Sequence, residues 1–269
     1  MSASGIYQAE TYEIQKHIFA VRNELKTGWS EEIYHQALRQ SLFEARIPAQ
    51  SKPRRALVHH ESEVHVFEPD LIVADKIILE LKVLPRASDF AGEHVAQIIH
   101  YLKFFEMRLG ILVNFAPAHV LTKRVIWDEP PVTVTEDLAR VAPLLSTPDR
   151  LLVDSVRAGI LALAEQYGLG YSDLIYRNLV AAELRHRQIP CLAGVEAPAH
   201  WGGKVIGRQA TLHLLVANTF LLHVCALAER PASYEFAGMK TFLAALGLRF
   251  GLLVNFGHRQ LQIYGVAAD

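Results

Sequence analysis

Hydrophobic residues near the start of the chain follow a helical spacing. Apolar side chains three or four positions apart predict a helix over Thr11–Leu25. A second helix is predicted after Gly28, with Ser30 as its cap and two glutamates in its first turn. The positions expected to be buried on this second helix are Ile33, Ala37, Leu38 and Leu42.

Beyond these helices, apolar runs separated by polar turns predict a sheet. The predicted strands are Ala56–His60, Val64–Val73, Ile77–Leu84 and Leu109–Phe115, with a helix over Val95–Phe105 before the last strand. Most of these runs are too apolar to have a solvated face, so helices should cover the sheet. The pattern therefore predicts an α/β fold whose mixed sheet is flanked by helices.

The same pattern occurs twice, in the same order and at a nearly constant offset. The matched segments are Gly28–Tyr34 with Gly170–Tyr176, Ile47-Pro48 with Ile189-Pro190, Leu71–Ala74 with Leu214–Ala217, and Gly110–Phe115 with Gly251–Phe256. A period of roughly 140 residues has the size of a domain. We therefore expect tandem copies of one fold: a domain over residues 1–130, a linker over 131–150 and a second domain over 151–269.

Composition narrows the class of protein. A net charge of −1 excludes strongly basic histone-like proteins, although a local basic groove is compatible with it. Two cysteines cannot form a disulfide framework, and they favour a reducing compartment. The start of the chain does not have the pattern of a signal peptide, and the apolar stretch Thr211–Ala228 contains polar residues that favour buried strands. We expect a cytoplasmic protein without a membrane partner.

Charged residues on the second and third predicted strands are the main chemical signal. Glu80 and Lys82 are two positions apart and share a face. If Ala74–Lys76 is a three-residue loop, Asp70 lies opposite Glu80 on that face. A two-residue loop would place the two carboxylates on opposite faces, and the sequence leaves this register open.

Two carboxylates on one apolar strand pair repel each other and are costly to bury. A hard cation such as Mg²⁺ would resolve both problems, and Lys82 could then orient water or stabilise phosphate charge. The alternative is an ordinary Glu80–Lys82 pair on a solvated edge. Replacing Asp70 with Ala is expected to stabilise the metal-free protein slightly, because it relieves the repulsion.

Further motifs strengthen the first interpretation. Pro69-Asp70 followed by Glu80-Leu81-Lys82 resembles the PD-(D/E)XK nuclease motif, which has a restriction-endonuclease-like fold. Gln97–Tyr101 (QIIHY) resembles the QxxxY motif of RecB-type exonucleases in that superfamily. Gly28–Tyr34 (GWSEEIY) resembles the signature of its GxxExxY family. The resemblance covers nearly all of residues 10–125.

This resemblance implies roles for individual residues. Asp70, Glu80 and the Leu81 carbonyl would bind Mg²⁺ or Mn²⁺, and Lys82 would serve the attacking water. Glu31 would add a further carboxylate directed at the metal. Gln97 and Tyr101 would line the site and touch DNA.

Other polar residues on neighbouring elements are weaker candidates. Arg54 and Arg55 could contact phosphates, although each alone would ordinarily be a solvated charge. His59, His60 and His65 are expected to be surface residues of a strand.

The second copy lacks the charged residues of the first. Aligning its strands places His213 at the position of Asp70, His223 at Glu80 and Cys225 at Lys82. Imidazole and thiol groups are poor ligands for Mg²⁺ but would suit Zn²⁺. A fourth zinc ligand is not evident, so we expect a degenerate site and a structural role, in an intramolecular pair with the first copy.

The sequence thus predicts a metal-dependent nuclease that hydrolyses phosphodiester bonds through its first copy, with DNA as the expected substrate. The competing hypothesis is a non-catalytic nucleic-acid-binding or scaffold protein that keeps the nuclease fold. Association into homo-oligomers is compatible with either.

Overall fold

The computed structural model describes residues 5–85 and 88–268, and its contacts divide the chain into two compact units. The first unit comprises the residues up to Leu57 together with Val66–Asp128. The second comprises Val58–His65 and the chain from Glu129 onward. The short segment Val58–His65 therefore belongs, by its contacts, to the second unit.

The first unit is built on a five-stranded mixed sheet. Its helices are α1 (Gln8–Leu25), α2 (Glu31–Glu44) and α3 (Gly92–Phe104). Its strands are β1 (Ala49–Ser51), β4 (Leu71–Val73), β5 (Ile77–Lys82), β6 (Leu109–Asn114) and β7 (Leu121–Ile126), in that order across the sheet. Only the β5–β6 pair is parallel among these neighbours. Strands β2 (Arg55–His59) and β3 (Ser62–Phe67) form a separate hairpin.

Helix α2 packs on the sheet through most of the predicted positions. Leu38 and Leu42 are buried and Ala37 packs against the core, whereas Ile33 is 39% exposed. Tyr34 is buried instead, and its ring stacks on Phe115 with centroids 4.5 Å apart. The expected burial of Ile33 was therefore wrong. Ser30 is at the N-cap position, but its side chain makes no capping hydrogen bond.

The single strand predicted over Val64–Val73 is two strands, β3 and β4, interrupted at Glu68–Asp70. Pro69 lies in the interruption, and proline cannot donate a backbone hydrogen bond to a sheet ladder. The break leaves Asp70 directly before the first residue of β4.

The second unit repeats the architecture of the first. Its helices are α4 (Thr147–Tyr167), α5 (Asp173–His186) and α6 (Ser233–Leu246). Its sheet has the order β8 (Thr133–Asp137), β15 (Gln260–Ala267), β14 (Phe250–Phe256), β13 (Phe220–Cys225), β12 (Leu214–Val216) and β9 (Cys191–Ala193). Strands β10 (Glu196–Trp201) and β11 (Lys204–Ala210) form its hairpin. The stretch 131–150 thus contains β8 and a short 3₁₀ helix, Ala142–Leu144.

The two sheets have the same strand order. The order β1-β4-β5-β6-β7 in the first corresponds to β9-β12-β13-β14-β15 in the second, which also has β8 at its edge. The parallel pair β5–β6 of the first sheet corresponds to the parallel pair β13–β14 of the second. Tyr176 stacks on Phe256 at 4.1 Å, as Tyr34 does on Phe115. These findings confirm a tandem repeat of one mixed α/β fold.

Two polar residues explain why the repeated Asn-Phe segment persists. The Asn114 side chain accepts a hydrogen bond from the Leu84 N–H at 2.9 Å and donates to its carbonyl at 3.0 Å. Asn255 makes the same pair of bonds with Leu227, at 2.7 and 3.3 Å. Each asparagine therefore fastens the chain that leaves the neighbouring parallel strand, which is a structural role.

Within the described residues, no helix is long and apolar enough to cross a membrane.

Candidate active site

A tight turn sets the register of the strands that carry the acidic residues. Ala74 and Asp75 have left-handed backbone conformations (φ 53° and 51°), and the Lys76 N–H donates to the Val73 carbonyl at 3.1 Å. Val73 consequently pairs with Ile77, which confirms the three-residue loop. Continued by one pair beyond Leu71 and Leu79, this register places Asp70 opposite Glu80.

Asp70 is held by both its side chain and its backbone. Its Oδ2 accepts a hydrogen bond from the Leu81 N–H at 2.7 Å. Its carbonyl accepts one from the Lys52 N–H at 2.9 Å and lies 3.1 Å from His35 Nε2. The carboxylate at the end of β4 is thus fixed against β5.

Glu80 and Lys82 form an ion pair with Lys82 Nζ 2.6 Å from Glu80 Oε1. Glu80 is only 3% exposed, and its Oε2 has no hydrogen-bond partner among the described residues. Burial, followed by the charge of Asp70, raises the pKa of Glu80 to about 7, although Lys82 acts in the opposite direction. A buried carboxylate oxygen without a partner is a fitting ligand for a hard cation.

Glu31 brings a third carboxylate into the same electrostatic field. It is the first residue of α2, and burial together with the charge of Asp70 raises its pKa, while Lys82 lowers it. The adjacent Glu32 instead binds Lys52 at 2.5 Å. The two neighbouring glutamates therefore have different surroundings.

Gln97 and Tyr101 lie one turn apart on α3, and the Gln97 amide donates to the Tyr101 hydroxyl at 3.0 Å. The hydroxyl donates to the Glu68 carbonyl at 3.3 Å. Burial raises the pKa of Tyr101 to about 12, with smaller contributions from the charges of Glu80 and Asp70. The QxxxY pair therefore adjoins the acidic cluster.

The two candidate phosphate contacts are exposed on the hairpin strand and the chain before it. The Arg55 guanidinium lies over the Phe105 ring, 5.3 Å from its centroid. Arg54 is exposed as well. Among the described residues, neither arginine forms a hydrogen bond or an ion pair with the acidic cluster.

Sequence reasoning missed His35 as part of this site. It is 3% exposed, and its Nε2 lies 3.1 Å from the Asp70 carbonyl and 3.2 Å from Ser51 Oγ. The available signal was its position four residues after Glu31, which places both on one helical face. This contact holds the backbone of Asp70 against α2.

The corresponding place in the second unit holds a histidine pair. Leu214 pairs with Leu222, so His213 lies opposite His223, as Asp70 lies opposite Glu80. Their Nδ1 atoms are 2.9 Å apart, and His223 Nε2 is 3.7 Å from a Glu235 oxygen. Burial, with the charge of His223, lowers the pKa of His213 to about 4, so its ring is neutral near pH 7.

The Cys225 thiol is not suited to bind a metal ion in this pocket. Its thiol donates to the Val254 carbonyl at 3.5 Å and lies 3.6 Å from Asn255 Oδ1. Burial raises its pKa to about 12, so the thiol stays protonated, whereas metals bind the thiolate.

Comparison with known proteins places the repeat in a family. A family model described as the PD-(D/E)XK nuclease superfamily matches residues 8–125 and again residues 151–264. No curated protein matches the chain significantly. The crystal structure of SSO0001 is similar to 45% of this chain, with 21% identity and a TM-score of 0.30. That similarity spans 59% of the SSO0001 chain.

Proposed function

Since the chain belongs to the PD-(D/E)XK nuclease superfamily, we propose that its first unit is a metal-dependent nuclease of the GxxExxY type. Its substrate would be a nucleic acid, with DNA expected, and its reaction the hydrolysis of a phosphodiester bond. The observation that carries this proposal is the alignment of Asp70 and Glu80 across one strand pair, with a buried Glu80 oxygen lacking a partner among the described residues.

The residues at this site suit Mg²⁺ or Mn²⁺. Asp70, Glu80, Glu31 and the Leu81 carbonyl would supply oxygen ligands, which such hard cations prefer. When bound, the ion would lower the pKa of a water molecule and offset the negative charge of the phosphate. It would also offset the burial and the charge of Asp70, which together raise the pKa of Glu80.

Lys82 would act as a cation rather than as a base. Burial favours its neutral amine, but the charges of Glu80, Glu31 and Asp70 outweigh burial and raise its pKa. An ammonium group at this position can orient a water molecule or donate to a phosphate oxygen. Gln97, Tyr101, Arg54 and Arg55 would complete the nucleic-acid contacts.

The second unit would be a pseudo-nuclease. His213 and His223 replace the two strand carboxylates, and Cys225 keeps its proton near pH 7. These groups do not make a site for Mg²⁺, which prefers oxygen ligands. We assign this unit a structural role.

A specific observation also favours the scaffold hypothesis. Lys82 already neutralises one oxygen of Glu80 at 2.6 Å, so the cluster has a partial internal counter-ion without metal. A protein that binds nucleic acid without cutting it could retain this pair.

The deciding experiment measures cleavage of plasmid, single-stranded DNA and RNA by the full chain with Mg²⁺ or Mn²⁺, and with EDTA. We expect cleavage that falls by roughly 100-fold or more in Asp70→Asn and Glu80→Gln. Glu31→Gln should lower it, whereas the matched control Glu32→Gln should not, because Glu32 binds Lys52 instead. Binding of DNA without cleavage under any of these conditions would favour the scaffold protein.

A further inference from the structure

A second cluster of ligand-type side chains lies within the second unit, away from its histidine pair. His59 and His60 are at the tip of the β2–β3 hairpin, in the segment Val58–His65, and Glu183 is on α5. His59 is 4% exposed and Glu183 5%. The expectation that all the hairpin histidines are surface residues was therefore wrong for His59.

The two imidazoles converge on one carboxylate oxygen of Glu183. His59 Nε2 and His60 Nε2 each lie 2.9 Å from Glu183 Oε2. One ligand atom from each residue lies within 4.8 Å of the other two. One carboxylate oxygen can accept a hydrogen bond from each of two imidazoles, and the same arrangement presents two ring nitrogens and one oxygen to a cation.

Neighbouring groups hold each of these side chains in its orientation. His59 Nδ1 lies 2.9 Å from the Tyr167 hydroxyl, and Arg187 donates to the other Glu183 oxygen at 2.5 Å. The His60 ring stacks on His186, with centroids 3.6 Å apart and planes 6° from parallel. Bonds to the far nitrogen of a histidine and to the second carboxylate oxygen are the usual support of metal ligands.

The hydrogen-bond pattern leaves room for a cation. When His59 donates from Nδ1 to the Tyr167 hydroxyl, the lone pair of its Nε2 points to Glu183 Oε2, 2.9 Å away, and both atoms can then bind a cation. Tetrahedral zinc with bonds of 2.0–2.1 Å separates its ligand atoms by about 3.4 Å, so each imidazole nitrogen would move about half an ångström away from Glu183 Oε2 on loading.

We propose that His59, His60 and Glu183 bind a divalent transition-metal ion of the zinc class, which fastens the hairpin tip to α5. Two imidazoles and a carboxylate suit Zn²⁺ rather than Mg²⁺. The His60 side chain is 37% exposed, so water can take a fourth position. This site is independent of the proposed nuclease, and it differs from the His213–His223 pocket, for which we propose no metal.

Zinc titration of the metal-free full chain, followed by calorimetry and metal analysis, tests the proposal. We expect one zinc per chain and a higher unfolding temperature after loading, because an ion that binds only the folded state stabilises it. His60→Ala should abolish both effects, and His59→Ala should do the same. Tyr167→Phe should weaken binding about tenfold, as loss of a group that supports a ligand typically does.

Two matched controls separate this site from its alternatives. His213→Ala should leave the stoichiometry unchanged, and so should His65→Ala on the same hairpin. Co²⁺ in place of Zn²⁺ should give visible absorption bands that are lost in His60→Ala. Because His60 is partly exposed, its variant should fold, and denaturant unfolding of the metal-free protein checks that it does. Failure of the wild-type protein to bind zinc, or binding that survives His60→Ala but not His213→Ala, would overturn the proposal.

Discussion

The carboxylate of Asp70 accepts a hydrogen bond from the Leu81 N–H at 2.7 Å, which ties the end of β4 to the strand that carries Glu80 and Lys82. This bond opposes the stabilisation expected from relief of carboxylate repulsion in Asp70→Ala. A hydrogen bond to a charged group contributes about 1.5–3 kcal/mol, which is comparable to or larger than the repulsion. The charge of the Asp70 side chain and its hydrogen-bond acceptor therefore have to be removed in separate variants.

We expect Asp70→Asn to be inactive but at least as stable as the wild-type protein without metal, because Asn keeps an acceptor for Leu81 and lacks the charge. Asp70→Ala should be about 1 kcal/mol less stable than Asp70→Asn. Urea unfolding in EDTA measures both differences. Equal stability of the two variants would show that the hydrogen bond to Leu81 contributes nothing.

The raised pKa of Glu80 makes the stability of the metal-free protein depend on pH. Its pKa is about 7 in the folded state and 4.5 in the unfolded state, so the folded state holds the proton more tightly. The contribution of Glu80 to stability is therefore fully present below about pH 4.5 and is lost as the pH rises through 7, by roughly 3 kcal/mol in total. Urea midpoints between pH 5 and 8, in EDTA, should show this loss.

Two further measurements test whether Glu80 is the source of this pH dependence. Glu80→Gln has no charge to bury and should lose most of the dependence on pH. Saturating Mg²⁺ should also reduce it, because the ion binds the ionised carboxylate. A wild-type slope retained in Glu80→Gln would assign the effect to another group.

The effect of Lys82 on metal binding distinguishes a catalytic role from a ligand role. Lys82→Ala should lose cleavage by roughly 100-fold, because a cation near the phosphate is gone. It should bind Mn²⁺ as tightly as the wild-type protein or more tightly, since Glu80 Oε1 is freed from its ion pair. Calorimetry with Mn²⁺ checks this, and weaker binding would mean that Lys82 supports the site mainly through structure.

The parts of the fold that sequence predicts well are those set by local pattern. The repeat and the buried strand that ends at Asn114 in the first unit and at Phe256 in the second follow from matched segments and apolar runs, whereas the length of the loop after Val73 was left open by the sequence. The burial of Tyr34 instead of Ile33 on α2 could not be predicted, because it depends on the stacking of Tyr34 with Phe115, which lies far along the chain. Long-range contacts of this kind have no local signal.

The same limit applies to the candidate sites. Asp70, Glu80 and Lys82 are grouped by strand alternation and by one turn, so their proximity could be predicted once the register was chosen. His59 meets Glu183 across 124 residues, and nothing in the sequence near either residue indicates the other. Its burial was therefore missed.

The final prediction concerns which unit cleaves. The double variant Asp70→Ala, Glu80→Ala should have no activity with any divalent ion, although its second unit is intact. His213→Ala should cleave like the wild-type protein, because the histidine pair offers two neutral imidazoles and lacks the carboxylates that Mg²⁺ needs. Plasmid cleavage by the variants, at equal protein concentration and in Mg²⁺, Mn²⁺ or Zn²⁺, measures this. Activity that survives the double variant and disappears on adding His213→Ala would reverse the assignment of active and degenerate units.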